Sequence, residues 1–212
     1  MAQQLVPNSP PKSGLATRGG IGASGFTRER LFALPKRVGV DSDAMTFLVE
    51  AMSHGYVPAT DPSSVSAERV AMLRVFLYST DSLYITPTVR KQYEYIANNP
   101  RRGFHWDVDR FFLVEAFGNA DPPSIDARVA YLRTLHSGDG DCRIAAEAEL
   151  AGLRLLLSRD EKFAKRLNGA LRPLTVVRPS EYWTALAVPR GTRPRFTPAP
   201  ANPLSAADWW RW

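Results

Sequence analysis

The stretch DCRIAAEAELAGLRLLLSRDEKF, residues 141–163, indicates the fold class of this 212-residue chain. Its first half predicts an amphipathic helix, because small apolar residues recur at intervals of three and four. The apolar run LRLLLS (153–158) then predicts a buried strand, and EKFAKRL predicts a short helix. A helix that leads into a buried strand is typical of a sheet with parallel strands, covered on both faces.

The same alternation of strands and helices extends outward from this stretch. Further strands are predicted in KRVGVD, which ends at Asp41, in LYIT (83–86) and in LTVV (174–177). Helices are predicted in DAMTFLVEAM, SAERVAMLRVFLYST, TVRKQYEYI, WDVDRFFLVEAF, SIDARVAYLRTL and SEYWTAL, by apolar spacing and by proline at a first turn. We therefore predict an α/β domain over residues 36–186.

Two segments flank the predicted domain. Residues 1–30 are rich in Gly, Ser and Pro and predict a disordered arm. Residues 187–212 are rich in proline, end in three tryptophans, and predict a tail without regular structure. Of the net charge of +6, residues 1–38 hold six Lys or Arg against one Glu, and the tail holds four Arg against one Asp. Basic arms attract polyanions such as nucleic acid, although the same charge also serves solubility alone.

The composition excludes several classes of protein. The single cysteine, Cys142, forms no intrachain disulfide and favours a reducing compartment. The N-terminal sequence lacks the apolar region of a secretory signal, and no apolar run approaches the roughly 18 residues of a membrane span. We therefore expect a cytoplasmic protein without a membrane segment. GIGASG (20–25) matches a dinucleotide-binding fingerprint, but SGLATRG just before it does not predict a strand, so a nucleotide-binding protein is a weak alternative.

Three acids are expected at one edge of the sheet. Asp41 ends the first strand, Asp141 begins the helix before the strand at 153–158, and Asp160 follows that strand. Sites of parallel α/β sheets form beyond the carboxyl ends of the strands. Carboxylates that share a pocket repel one another unless a cation neutralises them, and their hard oxygens suit Mg²⁺ or Mn²⁺.

Each acid also has an ordinary explanation as a helix cap. Asp43 is a candidate cap for the first helix, and either Asp139 or Asp141 for its own helix. The segment from Ser158 to Glu161 fits a capping box, with Asp160 as a first-turn acid. Glu147 is expected on the outer face of its helix, and the three histidines, His54, His105 and His136, are expected to be ordinary surface or core residues.

Two of these units resemble the PIN-domain (PilT N-terminal) family of metal-dependent ribonucleases. VGVDSDAMTFLVEAM resembles the strand–Asp–[ST]–x–helix unit that opens the family, with Asp41 and Ser42 in place. The stretch 141–163 resembles its acid–helix–strand–[ST]-x-D unit, with Asp141, Ser158 and Asp160. The resemblance implies a three-layer α/β/α sandwich with a short parallel sheet, flanked here by irregular tails.

The resemblance departs from the family at one acid. The family pattern S-P-x-V-x-x-E corresponds here to residues 86–92, which places Gln92 where the glutamate is usual. Glu94 lies two residues further, about 200° around a helix, and is expected to face away. Gln92 offers a neutral oxygen in place of a charge.

The resemblance implies a function and a set of roles. One or two Mg²⁺ or Mn²⁺ ions would be held by Asp41, Asp141 and Asp160 as catalytic residues, with Gln92 as a further ligand, and Ser42 and Ser158 would orient a ligand or contact substrate phosphate. The reaction would be endonucleolytic hydrolysis of single-stranded or structured RNA, as in toxin-type members that pair with an antitoxin; a second protein or a second copy of the chain is a further candidate partner. Gln92 favours the alternative of a weakly active or inactive RNA-binding or scaffold protein. An acidic-pocket phosphatase is a third, weaker alternative because no nucleophile motif is evident.

Overall fold

The computed structural model describes residues 5–7, 37–53, 56–58, 65–97, 99–116 and 120–212. The strands in these ranges are β1 (Leu5–Pro7), β2 (Arg37–Val40), β3 (Ser82–Ile85), β4 (Val114–Glu115), β5 (Leu155–Leu157), β6 (Thr175–Val177) and β7 (Phe196–Pro198). The helices are α1 (Ser42–Met52), α2 (Ser66–Tyr78), α3 (Pro87–Glu94), α4 (Asn99–Phe112), α5 (Pro122–Arg133), α6 (Asp139–Leu150), α7 (Glu161–Leu167) and α8 (Pro179–Leu186), followed by a 3-10 helix at Pro203–Ala206. GIGASG, His54 and most of the predicted arm at 1–30 lie outside the described residues.

Five parallel strands form the main sheet, in the order β4-β3-β2-β5-β6. All three residues of β5 are buried, which requires helices on both faces of the sheet because successive side chains point to opposite faces. The helix α2 contacts both α1 and α8, and α6 packs against α3 and α5. The predicted α/β class with a short parallel sheet between helical layers is confirmed.

The order of the strands places a switch point at the centre of the sheet. From β2 the chain moves outward to β3 and β4, and it then returns to the opposite side of β2 as β5. Val40 of β2 is directly paired with Leu157 of β5, and the backbone N–H of Asp41 donates to the carbonyl of Leu157 at 3.1 Å. Asp41 and Ser158 therefore emerge side by side where sites of open α/β sheets form.

The edge strand β4 was absent from the sequence prediction, which extended a helix over WDVDRFFLVEAF. In the structure the helix α4 ends at Phe112, and the next residues pair with β3. The N–H of Ala116 donates to the carbonyl of Ile85 at 2.7 Å. A strand of two residues leaves no alternating pattern in the sequence, so only its partner strand defines it.

The C-terminal tail is ordered against the domain, and the prediction that it lacks regular structure was wrong. Its strand β7 pairs in antiparallel fashion with β1, and Arg195 ties this ribbon to the end of α2 through hydrogen bonds to the carbonyls of Leu77 and Ser79, both at 2.7 Å. The ring of Phe196 stacks on Phe76 with the centroids 5.3 Å apart. The proline-rich composition masked these contacts, because prolines restrict the backbone without preventing a short strand.

Candidate functional site

Asp41 occupies the central position of the site. It is 6% exposed, and as the N-cap of α1 it accepts a hydrogen bond from the N–H of Ala44 at 2.7 Å. Asp43, the predicted cap, is instead an exposed first-turn residue. Burial raises the pKa of the Asp41 carboxyl to about 7. Hydrogen bonds from Ala44 and Ser158 lower this pKa, whereas the nearby negative charges of Asp43 and Asp141 raise it further. A cation bound to this carboxylate would offset much of the free-energy cost of burying its negative charge.

Ser158 and Asp160 form a short hydrogen-bonded chain that ends at Asp41. The Ser158 hydroxyl, 1% exposed, accepts the N–H of Asp160 at 3.1 Å and hydrogen-bonds the Asp41 carboxylate. Oδ1 of Asp160 accepts the N–H groups of Lys162 and Phe163 at 2.7 and 2.9 Å, which makes Asp160 the N-cap of α7 rather than a first-turn acid. Ser158 therefore orients Asp41 from within the core, and one oxygen of Asp160 is engaged in capping.

Asp141 faces the same space from the first turn of α6. It lies close enough to Asp41 for its charge to raise the pKa of that carboxyl. The N-cap of α6 is Gly138, so neither Asp139 nor Asp141 caps this helix. Oδ2 of Asp141 contacts Nε2 of His136 at 2.9 Å, and the Asp141 side chain is 38% exposed. Asp141 is thus both open to solvent and held by a buried histidine.

Gln92 reaches the site from α3. A Cβ atom added to Gly140 would lie 3.2 Å from Nε2 of Gln92, so the amide lies against the first turn of α6, beside Asp141. The Gln92 Oε1 atom is buried and has no hydrogen-bond partner within the described part of the chain. Glu94 is exposed, in keeping with the expected difference of direction between the two positions.

Glu147 was expected on the outer face of α6, and this was wrong. It is 9% exposed, and its two carboxylate oxygens accept from the N–H of Thr88 at 3.0 Å and from the Thr88 hydroxyl at 2.7 Å. These bonds satisfy first-turn donors of α3. They fix α3 against α6, and with it the position of Gln92 relative to Asp141.

The donor set suits a hard divalent cation, but with fewer charges than predicted. Asp41, Asp141 and Gln92 Oε1 are oxygen donors of the type that Mg²⁺ and Mn²⁺ bind, and Mg²⁺ commonly needs only one or two carboxylates beside water and substrate phosphate. Over the described ranges, no three His, Cys, Asp or Glu side chains come together as a metal-binding group. The residues therefore fit a cation held by two carboxylates and an amide oxygen.

His136, expected to be an ordinary surface or core residue, is buried and contacts a site carboxylate, which the sequence did not predict. It precedes Asp141 by five residues, and only the turn through Ser137 and Gly138 brings its ring back against that carboxylate. Apart from the two glycines of HSGDGD, no periodic signal marks it. His105 is a core residue as expected, 1% exposed with Nδ1 at 2.9 Å from the carbonyl of Arg101. Ser42 begins α1 and is partly exposed beside Asp41.

Fold and site together define an α/β protein with two carboxylates at the switch point of a parallel sheet. No family model and no curated protein matches the chain. Among solved structures, VapBC2 from Rickettsia felis bound to a DNA fragment from its promoter is similar at 12% identity and a TM-score of 0.41, over 67% of this chain and 98% of that chain. FitAcB from Neisseria gonorrhoeae is similar at 14% identity and a TM-score of 0.40, over 67% and 97%. Both similarities are distant, so function has to be inferred from the residues themselves.

No helix in the described ranges is both long and apolar enough to cross a membrane.

Proposed function

We propose that the protein is a metal-dependent nuclease that hydrolyses phosphodiester bonds of RNA. The observation that carries this proposal is Asp41, a carboxylate buried at the end of the central strand with a pKa raised to about 7. A buried charge is costly unless a partner compensates it. Asp141 and the unpartnered amide oxygen of Gln92 would bind the same cation as Asp41. The resemblance of residues 38–52 and 141–163 to the PIN-domain units supports the same assignment.

The residues of the chain would divide the work as follows. Asp41 and Asp141 would bind Mg²⁺ or Mn²⁺, with Gln92 Oε1 as a neutral third ligand and Ser158 orienting Asp41. When bound, the cation would supply a more acidic water and stabilise charge on the leaving oxygen. Ser42, partly exposed at the start of α1, is the candidate for contact with substrate phosphate.

The test is cleavage of single-stranded RNA by the full chain. We expect cleavage with Mg²⁺ or Mn²⁺ that stops with EDTA, and a loss of orders of magnitude in Asp41→Asn and Asp141→Asn, with the fold intact by circular dichroism. Glu94→Gln is the control, since Glu94 is exposed on the same helix as Gln92 and should leave the rate unchanged. Wild-type cleavage that persists in EDTA would exclude the proposal.

A second candidate function is RNA binding without catalysis. It is favoured by the neutral Gln92 and by the absence of a three-acid cluster from the described residues. RNA binding that is unchanged in Asp41→Asn, together with no cleavage by the wild type, would select this candidate. A protein partner, either an antitoxin or a second copy of the chain, and a cytoplasmic location remain predictions.

A further inference from the structure

We infer that His136 is a positioning residue, which holds one oxygen of the Asp141 carboxylate and directs the other toward a divalent cation. This inference rests on the proposed function, because it gives Asp141 the role of a cation ligand. The resemblance described above assigns no role to a histidine at this position, and the contact itself is independent of any metal.

The contact joins a buried donor to an accessible carboxylate. Nε2 of His136 lies 2.9 Å from Oδ2 of Asp141, with side chains that are 8% and 38% exposed, respectively. Oδ1 of Asp141 has no hydrogen-bond partner among the residues that the structure describes. A carboxylate with one oxygen fixed and the other open presents a single direction for coordination. Hydrogen bonds of this kind orient metal ligands and raise their affinity.

His136 is itself fixed by three contacts, two through its backbone and one through its ring. The backbone N–H of His136 donates to the carbonyl of Leu132 at 3.0 Å, and its carbonyl lies 3.3 Å from the thiol of Cys142. The imidazole stacks on the ring of Phe163, with centroids 5.9 Å apart and planes 28° apart. Because the backbone N–H of Phe163 donates to the capping carboxylate of Asp160, the N-cap of α7 also helps to hold the Phe163 ring against His136.

The surroundings of the ring select its tautomer. Nδ1 of His136 is buried without a hydrogen-bond partner in the described ranges. A proton on Nδ1 would leave a buried N–H donor without a partner, which is costly, whereas a proton on Nε2 forms a hydrogen bond to Asp141. Of the two neutral tautomers, the surroundings therefore favour the one with its proton on Nε2, which donates to the carboxylate.

Gly138 provides the space for the pair. A Cβ atom at this position would lie 2.5 Å from Oδ2 of Asp141 and 2.7 Å from Nε2 of His136. The backbone of Gly138, with φ −78°, is open to any residue, so glycine is required here for space alone. Gly138→Ala should therefore displace the carboxylate or the ring while leaving every functional group of the site in the chain.

The experiment compares Mn²⁺ binding by the wild type, His136→Phe and His136→Gln. Phenylalanine keeps the stack on Phe163 and removes the unpaired Nδ1, so this variant should fold at least as stably as the wild type, as judged by thermal unfolding in EDTA. It has no donor for Asp141, and we expect Mn²⁺ affinity to fall about 10-fold or more, measured from the paramagnetic resonance signal of free Mn²⁺. The glutamine amide reaches the place of Nε2 and should restore part of the affinity.

Equal Mn²⁺ affinity in the wild type and His136→Phe would overturn the inference. A wild type that binds no Mn²⁺ would instead exclude the metal site, and with it the role of His136 toward a cation. The ¹⁵N spectrum of the imidazole at pH 7 then separates the contact from the metal. A proton on Nε2, with a resonance that shifts in Asp141→Asn, supports the His136–Asp141 bond, and an imidazole with its proton on Nδ1 alone contradicts it.

Discussion

At the scale of single residues, the ionisation of Asp41 should make stability depend on pH. The folded-state pKa of about 7 lies above the ordinary value of 3.8, so between these values the folded protein binds more protons than the unfolded chain. The contribution of Asp41 to stability is therefore greatest below about pH 4 and declines as pH rises to about 7. At about 1.4 kcal/mol per pKa unit the decline amounts to a few kcal/mol.

Asp41→Asn should remove this decline, because the amide stays neutral and keeps the acceptor oxygen for Ala44. Urea unfolding in EDTA at several pH values between 4 and 8 should show a flatter profile in the variant, and higher stability than the wild type at pH 8. Glu94→Gln, an exposed acid, should reproduce the wild-type slope. Parallel profiles for wild type and Asp41→Asn would show that Asp41 keeps an ordinary pKa.

Gln92→Glu should add the missing charge at nearly constant volume. Without a cation, a third carboxylate should raise the pKa of its neighbours and lower stability. With Mg²⁺ or Mn²⁺, the increase in melting temperature on adding the cation should grow, because ligand binding stabilises the folded state in proportion to affinity. Cleavage at limiting cation should rise with it.

The exposed Glu94 serves as the matched position on the same helix. Glu94→Gln should change neither the melting temperature with cation nor the cleavage rate. If Glu94→Gln abolished activity and Gln92→Glu had no effect, Glu94 would be the ligand, against the direction in which α3 presents it. No effect of either change would place the site elsewhere.

At the scale of secondary structure elements, variants of Asp160 should show whether this residue acts as a helix N-cap or as a cation ligand. Its Oδ1 already receives two backbone N–H groups at the start of α7, one of them from Phe163. Asparagine caps helices about as well as aspartate, so Asp160→Asn should change stability by only a few tenths of a kcal/mol, while Asp160→Ala should cost about 1 kcal/mol. The gain in melting temperature with Mn²⁺ should survive in Asp160→Asn.

Asp141→Asn is the comparison for that experiment, because Asp141 faces the same site without capping a helix. If Asp160→Asn lost the Mn²⁺ gain as fully as Asp141→Asn, Asp160 would be a cation ligand as the sequence predicts. Thermal unfolding of the two variants with and without Mn²⁺ decides between these roles.

The elements differ in how far the sequence predicted them. The strand β5 and the position of Asp41 at the end of β2 could be predicted, because apolar runs and the ends of parallel strands leave local signals. The strand β4 could not, since it consists of two residues. The inward direction of Glu147 and the contact of His136 with Asp141 also left no periodic signal, because each depends on a partner or a turn that the pattern does not encode.

At the scale of the whole molecule, the tail joins the end of the chain to the domain. Arg74 of α2 donates to the carbonyls of Trp209 and Arg211 at 2.9 and 3.2 Å. The Trp210 side chain is 3% exposed, and its indole N–H donates to the carbonyl of Leu204 at 2.7 Å. These contacts favour docking of the terminal tryptophans on the protein over stacking on RNA bases.

Trp212→Ala should therefore act on stability and leave RNA binding nearly unchanged. The indole of Trp212 donates to the carbonyl of Val188 at 2.6 Å and meets Trp183 edge to face at 5.3 Å. The guanidinium groups of Arg74 and Arg190 contact the Trp212 ring, with Cζ atoms 4.9 and 4.6 Å from its centroid. Loss of a large, partly buried aromatic ring and its hydrogen bond should cost about 2 to 3 kcal/mol in urea unfolding. Arg193→Ala is the matched control on the same tail. Because Arg193 is exposed, its replacement should leave stability constant. If Arg193 contacts an RNA phosphate, the variant should lose that contact, and the salt dependence of RNA binding should fall by about one charge. A Trp212→Ala variant with unchanged stability and a large loss of RNA affinity would show that the indole stacks on bases.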